Sequence, residues 1–214
     1  VRGGGRATAA TGPGGGSGGG TNVTVTVTNG YAGTGAARVT GTNISIAPVF
    51  TWDGSGANTN APGVILDMDY GGDVDDAIDL KLACKLHQMG LIRLLAVTHS
   101  SSNDWGSASI SAALAYYGVK VPVGISKVPT GVTLDIYGSF VATNTANPAK
   151  YWFTNSNDAK DIMRFALANS PNSNVVIITT GPLNNLQRLI DSIADANSPL
   201  TGSQLLAQKL RPDL

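Results

Sequence analysis

From position 63 onward the chain alternates short, wholly apolar runs with longer patterns that are apolar on one side only. The first run, 64–68, predicts a strand that breaks off into an acidic loop. A helix over 75–89 follows, with Ala77, Ile78, Leu80, Leu82, Ala83 and Leu86 at helical spacing and Gly90 at its end. Residues 91–97 predict a second strand, with a polar loop over 98–103 at its end. A helix over 106–117 closes at Gly118, and 121–124 is a short strand. Residues 126–155 are irregular and rich in Thr and Asn, with the aromatics Tyr137, Phe140, Tyr151, Trp152 and Phe153. A helix over 157–169 leads to a buried strand over 175–179, and the loop 180–185 opens a helix over 184–194. Wholly apolar strands alternating with one-sided helices predict an α/β domain: an open, mainly parallel sheet with helices on both faces. Right-handed crossovers then gather the C-terminal strand ends on one edge, where such sheets bind ligands. The polar loops 67–76, 98–103 and 180–185 share that edge and can converge on one pocket.

The first 62 residues have a different character. Residues 1–20 are Gly-rich and read as a flexible linker. Residues 21–50 read as a small β-rich appendage or the remnant of a module. Val23, Val25 and Val27 alternate with Thr, Asn29-Gly30 signals a tight turn, and Val39, Ile44, Ile46 and Val49 suggest further extended segments. Residues 51–62 form a second linker ending at Pro62, and 63–214 form the α/β domain. Asn22-Val-Thr and Asn43-Ile-Ser match the glycosylation sequon, a pattern frequent by chance.

Composition narrows the partners. The formal net charge of the 214 residues is zero, which points away from nucleic acid and from an anionic membrane surface. No run is long and apolar enough for a transmembrane helix. The single Cys84 excludes an internal disulfide and reads as a small buried hydrophobe. Only 13% of residues are charged, while Gly, Ser, Thr and Asn abound; that balance suggests a secreted or extracytoplasmic bacterial protein. The chain opens on Val1 without a signal peptide, and so reads as a piece of a longer product.

The acidic loop carries the chemistry. Asp67, Asp69, Asp73, Asp75 and Asp76 fall within ten residues, between an apolar strand and a helix that tie them to the core. Carboxylates this close need a cation or must stay partly protonated. Oxygen ligands alone suit calcium or magnesium. The plainer alternative is a solvated acidic turn. Among the other polar residues, His99 reads as a structural loop histidine before a proton donor, and His87 as a surface residue. Trp105, Tyr137, Tyr151 and Trp152 read as core or lid packing before base stacking, and Asp79 as an exposed helix residue. Ser100 to Ser102 lack a partnered His-Asp arrangement, which discounts serine catalysis.

Four segments in order resemble the nucleoside hydrolases, the calcium-dependent N-ribosyl hydrolases, over about 150 residues from about 63 to 210. The family's D-x-D-P-G-x-D-D-A stands here as Asp67-Met-Asp69-Tyr-Gly-Gly-Asp73-Val-Asp75-Asp76-Ala77, the longer form of a subgroup with a D-x-D-x-G-x-D-x-D-D loop. Leu95-Ala-Val-Thr98-His-Ser-Ser-Ser-Asn103 resembles the family's strand and G-N loop. Tyr116-Tyr117-Gly118 through Val121-Pro-Val-Gly124 resembles the next segment, and Thr180-Gly-Pro-Leu-Asn-Asn185 the T-G-P-L-T-N motif. The resemblance implies a nucleoside hydrolase-like fold and Ca2+ as cofactor. It implies metal ligands at Asp69, Asp76 and the carbonyl of Thr180, with Asp69 also activating the attacking water. Asp75 would bond a ribose hydroxyl, Asn103 would contact the ribose or its water, and Asp67 would support the loop. Asp73, in the inserted part, has no certain counterpart.

The implied partner is a small nucleoside or riboside, with a homo-oligomer left open. Family members are about twice as long as the matched part, and their C-terminal half supplies further site residues. The chain therefore reads as the N-terminal part of the domain, with an enzyme expected of the full-length protein and a sheet ending on an unpaired strand. Two other readings compete. A haloacid-dehalogenase-type phosphatase would share the strand ending in Asp67-x-Asp69, but leaves 73–76 unexplained. A non-catalytic calcium- or sugar-binding relative of the fold would keep the metal without turnover. An EF-hand loop would need a Glu where Ile78 stands.

Overall fold

The computed structural model describes residues 9–10, 23–29, 33–39, 60–101, 103, 105–128, 135–144 and 156–212. Contacts divide the chain into two units, Val1–Asp53 and Gly54–Leu214. In the first unit, β1 (Ala9–Ala10), β2 (Val23–Asn29) and β3 (Gly33–Val39) form an antiparallel sheet in that order. β2 and β3 pair along their whole length, from Val23↔Val39 to Asn29↔Gly33. The Val-Thr alternation makes β2 as the sequence suggests. β1 falls inside the stretch read as linker, where two alanines carry no alternation to reveal it. Ile44, Ile46, Val49, Tyr151, Trp152, Phe153, the sequon Asn22 and Asn43, and most of both linkers lie outside the described residues.

The second unit runs β4 (Gly63–Met68), α1 (Asp75–Gln88), β5 (Arg93–His99), α2 (Gly106–Tyr117), β6 (Val123–Ile125), α3 (Gly138–Asn144), β7 (Asn157–Asp158), α4 (Ala159–Ala168), β8 (Val175–Thr179), α5 (Asn184–Ile190) and α6 (Gly202–Lys209). Its five strands are all parallel, in the order β7-β6-β5-β4-β8. This is the open α/β sheet that the hydropathy pattern predicts.

The pleat sorts side chains to two faces. Val64, Leu66 and Met68 of β4 and Val123 of β6 pack with Leu80 and Cys84 of α1 and with Ile110 and Leu114 of α2. Gly124, one residue on from Val123, faces the other way: a Cβ there would sit 2.8 Å from the Ala159 Cα of α4. Helices therefore cover both faces. Ile162, Met163 and Leu167 of α4 are buried, each such side chain stabilising the fold by about 1.5–3 kcal/mol.

α1 carries Asp75 in its first turn and Lys85 in its last, charges that suit the two ends of its dipole. β5 starts later than expected, because Leu91 N–H still bonds Leu86 O at 3.0 Å and closes the α1 turn. His87 is half-buried, a correction to the surface reading: its Nδ1 accepts from Leu94 N–H at 3.2 Å. α5 stops at Ile190 because the following segment folds around Arg164, whose buried guanidinium donates to Asp195, Ser192 Oγ and the carbonyls of Ser198 and Leu200. The short elements β7, α3 and α6 carry little sequence signal.

The strand order sets the site. β4 lies between β5 and β8: from it the chain proceeds outward through β5, β6 and β7, then returns to β8 on the opposite side. The C-terminal ends of β4 and β8 thus flank a topological switch point, the crevice where doubly wound sheets hold ligands.

Candidate functional site

The loop after β4 emerges at this switch point. Asp67 ends the apolar run and is wholly buried. Its Oδ1 accepts from Thr98 Oγ1 at 2.6 Å and from Asn185 Nδ2 at 2.9 Å, while its Oδ2 has no partner among the described residues. Burial pushes the carboxyl up to about 6 against these two donors. Asn185 also donates to His99 O at 3.0 Å, so one amide ties α5 to β4 and β5 together.

Asp69, two residues on, is half-buried. Gly181 lies directly against it: a Cβ on Gly181 would fall 2.8 Å from Asp69 Oδ1, 2.9 Å from Asp69 N and 2.5 Å from Ser100 Oγ. Only glycine permits this approach. Thr180 reaches the loop twice, its N–H donating to Asp67 O at 2.9 Å and its Oγ1 to Asp76 Oδ1 at 2.6 Å. Asp76 is buried in the first turn of α1, and its Oδ2 is without a partner among the described residues. Burial, reinforced by Asp69, Asp75 and Asp73, lifts its carboxyl to about 7 despite the Thr180 bond.

Asp73 and Asp75 are exposed and bonded to each other. That shared hydrogen bond raises the carboxyl of Asp73 and lowers that of Asp75, whose Oδ1 also accepts Asp76 N–H at 3.0 Å.

The loop is held from both flanks. Gly71 has φ +120°, a left-handed conformation that glycine adopts freely. Its carbonyl accepts the N–H groups of Ile136 and Tyr137, at 2.7 and 3.2 Å. The Tyr137 ring meets Tyr70 edge-on with centroids 5.2 Å apart, which is packing as expected. His99 is buried at the end of β5, with Nε2 3.0 Å from Tyr70 O and Nδ1 3.1 Å from Ser101 O. Burial lowers its pKa, and the two carbonyls pull it back upward. Both nitrogens face main-chain carbonyls; a neutral ring donates to one of them and only the imidazolium to both, and this enclosed setting fits a structural histidine. Asn103 is also buried, and its Oδ1 accepts Trp105 N–H at 2.8 Å, turning the chain into α2. A Cβ on Gly71 would stand 3.7 Å from Asn103 Nδ2, so this amide borders the acidic loop.

The structure therefore gathers Asp67, Asp69, Asp76, Thr180 and Asn103 around the switch point, with Asp73 and Asp75 on its exposed rim. Among the described residues, no three His, Cys, Asp or Glu side chains group closely enough to hold a metal alone. A cation here would draw on carboxylates together with main-chain or hydroxyl oxygens, a donor set that calcium accepts. The partnerless Oδ2 of Asp76 fits such a guest. Sequence reasoning weighed Ser100 only as a nucleophile, Tyr137 only as packing or stacking, and Thr98 and Asn185 only as members of a loop or motif; it gave none of them a bracing role and did not single out Ile136. Asn185 lay within the motif 180–185 and carried a signal; the others needed the strand register. No protein-family model matches the chain, and no curated protein matches it.

Proposed function

We propose that this protein is a calcium-dependent hydrolase cleaving the N-glycosidic bond of ribonucleosides or related ribosides, in the manner of the nucleoside hydrolases its motifs resemble. One observation carries the reading: Thr180 bonds Asp76 and the neighbouring Gly181 lies against Asp69, the positions the resemblance assigns to the metal, beside a buried carboxylate oxygen of Asp76 that has no partner among the described residues. Two carboxyls, Asp67 and Asp76, raised by burial and by repulsion from Asp69 favour a site that takes up positive charge.

In this reading Asp69, Asp76 and the Thr180 carbonyl hold the ion. Calcium when bound would lower the pKa of a water and grip vicinal ribose hydroxyls. Asp69, half-buried at the strand end, takes the proton from the attacking water. Asp75 accepts a hydrogen bond from a ribose hydroxyl at the rim, and Asn103 orients the sugar or the water. Leaving-group departure builds positive charge on the ribosyl ring, and the carboxylates beneath it stabilise that charge. Asp67 is too deeply enclosed to touch substrate; it braces the loop through Thr98 and Asn185.

The test is release of base from inosine, uridine and a p-nitrophenyl riboside by the whole chain, with calcium and with EDTA, beside calorimetric titration of calcium. EDTA-sensitive release is the expected result. Calcium binding without turnover would leave a non-catalytic sugar-binding relative, and absence of both would refute the metal site.

A further inference from the structure

We propose that Ser100 is a positioning residue for Asp69, its hydroxyl donating to the Asp69 carboxylate when a cation draws that carboxylate into place. The inference rests on the reading of Asp69 as a metal ligand.

The sheet register brings the two residues together. Asp67 on β4 stands opposite Thr98 on β5 and Thr179 on β8. Just past the last paired residues, Ser100 N–H donates to Met68 O, Thr180 N–H to Asp67 O, and Gly181 lies against both Asp69 and Ser100, which brings these three together as a further row. In the lower row a β5 hydroxyl already serves a β4 carboxylate: Thr98 Oγ1 donates to Asp67 Oδ1 at 2.6 Å. The upper row repeats the pairing of residue types.

Ser100 is wholly buried, yet its hydroxyl has no partner among the described residues. Such a group carries an uncompensated desolvation cost unless something engages it. Its backbone is pinned, with Ser100 N–H donating to Met68 O at 2.8 Å, so only rotation of the side chain is free. Ser100 Oγ and Asp69 Oδ1 both lie within 3 Å of the point a Gly181 Cβ would take. Hydroxyl and carboxylate thus flank one spot that glycine alone leaves clear. A nucleophilic role is closed to Ser100, since both nitrogens of the adjacent His99 face carbonyls.

The experiment compares calcium affinity by titration calorimetry for wild type, S100A and S100T, with melting temperatures in EDTA. Losing a hydrogen bond to a charged partner should weaken calcium binding of S100A about tenfold to a hundredfold. Its calcium-free melting temperature should stay level or rise, because an unpartnered hydroxyl is removed. S100T, which keeps the hydroxyl, should recover most of the affinity. Equal calcium affinity of S100A and wild type overturns the proposal while leaving the metal site standing. A fall in calcium-free stability of S100A that S100T does not repair also overturns it, as a packing role. If wild type binds no calcium, the metal-site reading and this proposal fall together.

Discussion

Replacing Asp76 by Asn separates the charge of the acidic loop from its shape. Burial holds the folded carboxyl near 7 against an ordinary value of 3.8, so between these values the folded state binds a proton that the unfolded chain has released. The contribution of the neutral carboxyl is fully present below about pH 4 and is lost as pH rises through 7. A rise from 3.8 to about 7 is worth about 4 kcal/mol once deprotonation is complete. Asn carries no charge to expose, and its Oδ1 still accepts from Thr180. Its amide nitrogen replaces Asp76 Oδ2, which has no partner, at a pH-independent cost of about 1–3 kcal/mol. Without metal, D76N should be less stable than wild type by about 1–3 kcal/mol near pH 4 and more stable by a similar amount at pH 8. At about 2–4 °C per kcal/mol, the melting temperatures should cross by several degrees in opposite directions. Asp67 has the same sign of dependence in both proteins and cancels from the difference. The assay is thermal melting by circular dichroism from pH 4 to 8 in EDTA, repeated at pH 8 with calcium. Calcium at a hundred times its Kd should stabilise wild type by about 2.7 kcal/mol and leave D76N unchanged. A constant gap between the two proteins at every pH would refute the reasoning.

Three further substitutions probe the scaffold of the site. Arg164→Met leaves the carbonyls of Ser198 and Leu200 without their donor, while the exposed Asp195 can turn to water; it should cost about 2–4 kcal/mol and lower the melting temperature by roughly 10 °C. Asn185→Ala removes the bonds to both Asp67 and His99 O; it should cost about 2–4 kcal/mol, read as a lower urea midpoint at unchanged m-value. Gly106→Ala would place a Cβ 2.1 Å from His99 Nε2, so the ring must leave the Tyr70 carbonyl. It should cost about 1–3 kcal/mol and speed amide hydrogen exchange across 70–76.

The fold was legible wherever an element was long and periodic. The strands at 64–68 and 175–179 and the helices at 75–89 and 106–117 appear within a residue or two of the pattern, but the strand at 175–179 is not the buried one expected: past Val175 it is half-buried and Ile178 is exposed, because β8 ends the strand order. β7 has two residues and α3 seven, too short for any period to show. Ile78 and Leu82 of α1 look like core positions in sequence but are exposed; Leu80, Ala83 and Cys84 meet the sheet instead. The acidic loop was legible from composition alone. What holds it was not: the Thr98 and Asn185 bonds to Asp67 depend on the relative stagger of β4, β5 and the α5 that follows β8, a quantity no local pattern encodes.

That stagger also weighs one chemistry against another. Asp67 lies within β4 and Asp69 just past its end, and the two differ in access. The lower row is closed, with Asp67 buried beneath Thr98, Asn185 and Thr180. The upper row reaches the loop mouth, where Asp69 is half-exposed beside Thr180 and Asp76. A phosphatase of the haloacid-dehalogenase type would need the first of these aspartates as its nucleophile. A phosphate ester cannot approach a carboxylate that two side-chain donors and the strand ends enclose without opening the sheet. Hydrolysis by a metal-activated water makes no such demand: it asks the first aspartate only to brace the loop and the second to face the ligand. The difference in burial between Asp67 and Asp69 therefore favours the glycosidic reading over the phosphoryl one, and D67N provides the check. As a brace, Asp67 is replaceable by an amide that still accepts from Thr98, so calcium affinity should fall less than tenfold. As a nucleophile it would be irreplaceable, and phosphatase turnover of wild type on p-nitrophenyl phosphate, abolished in D67N, would reverse the assignment.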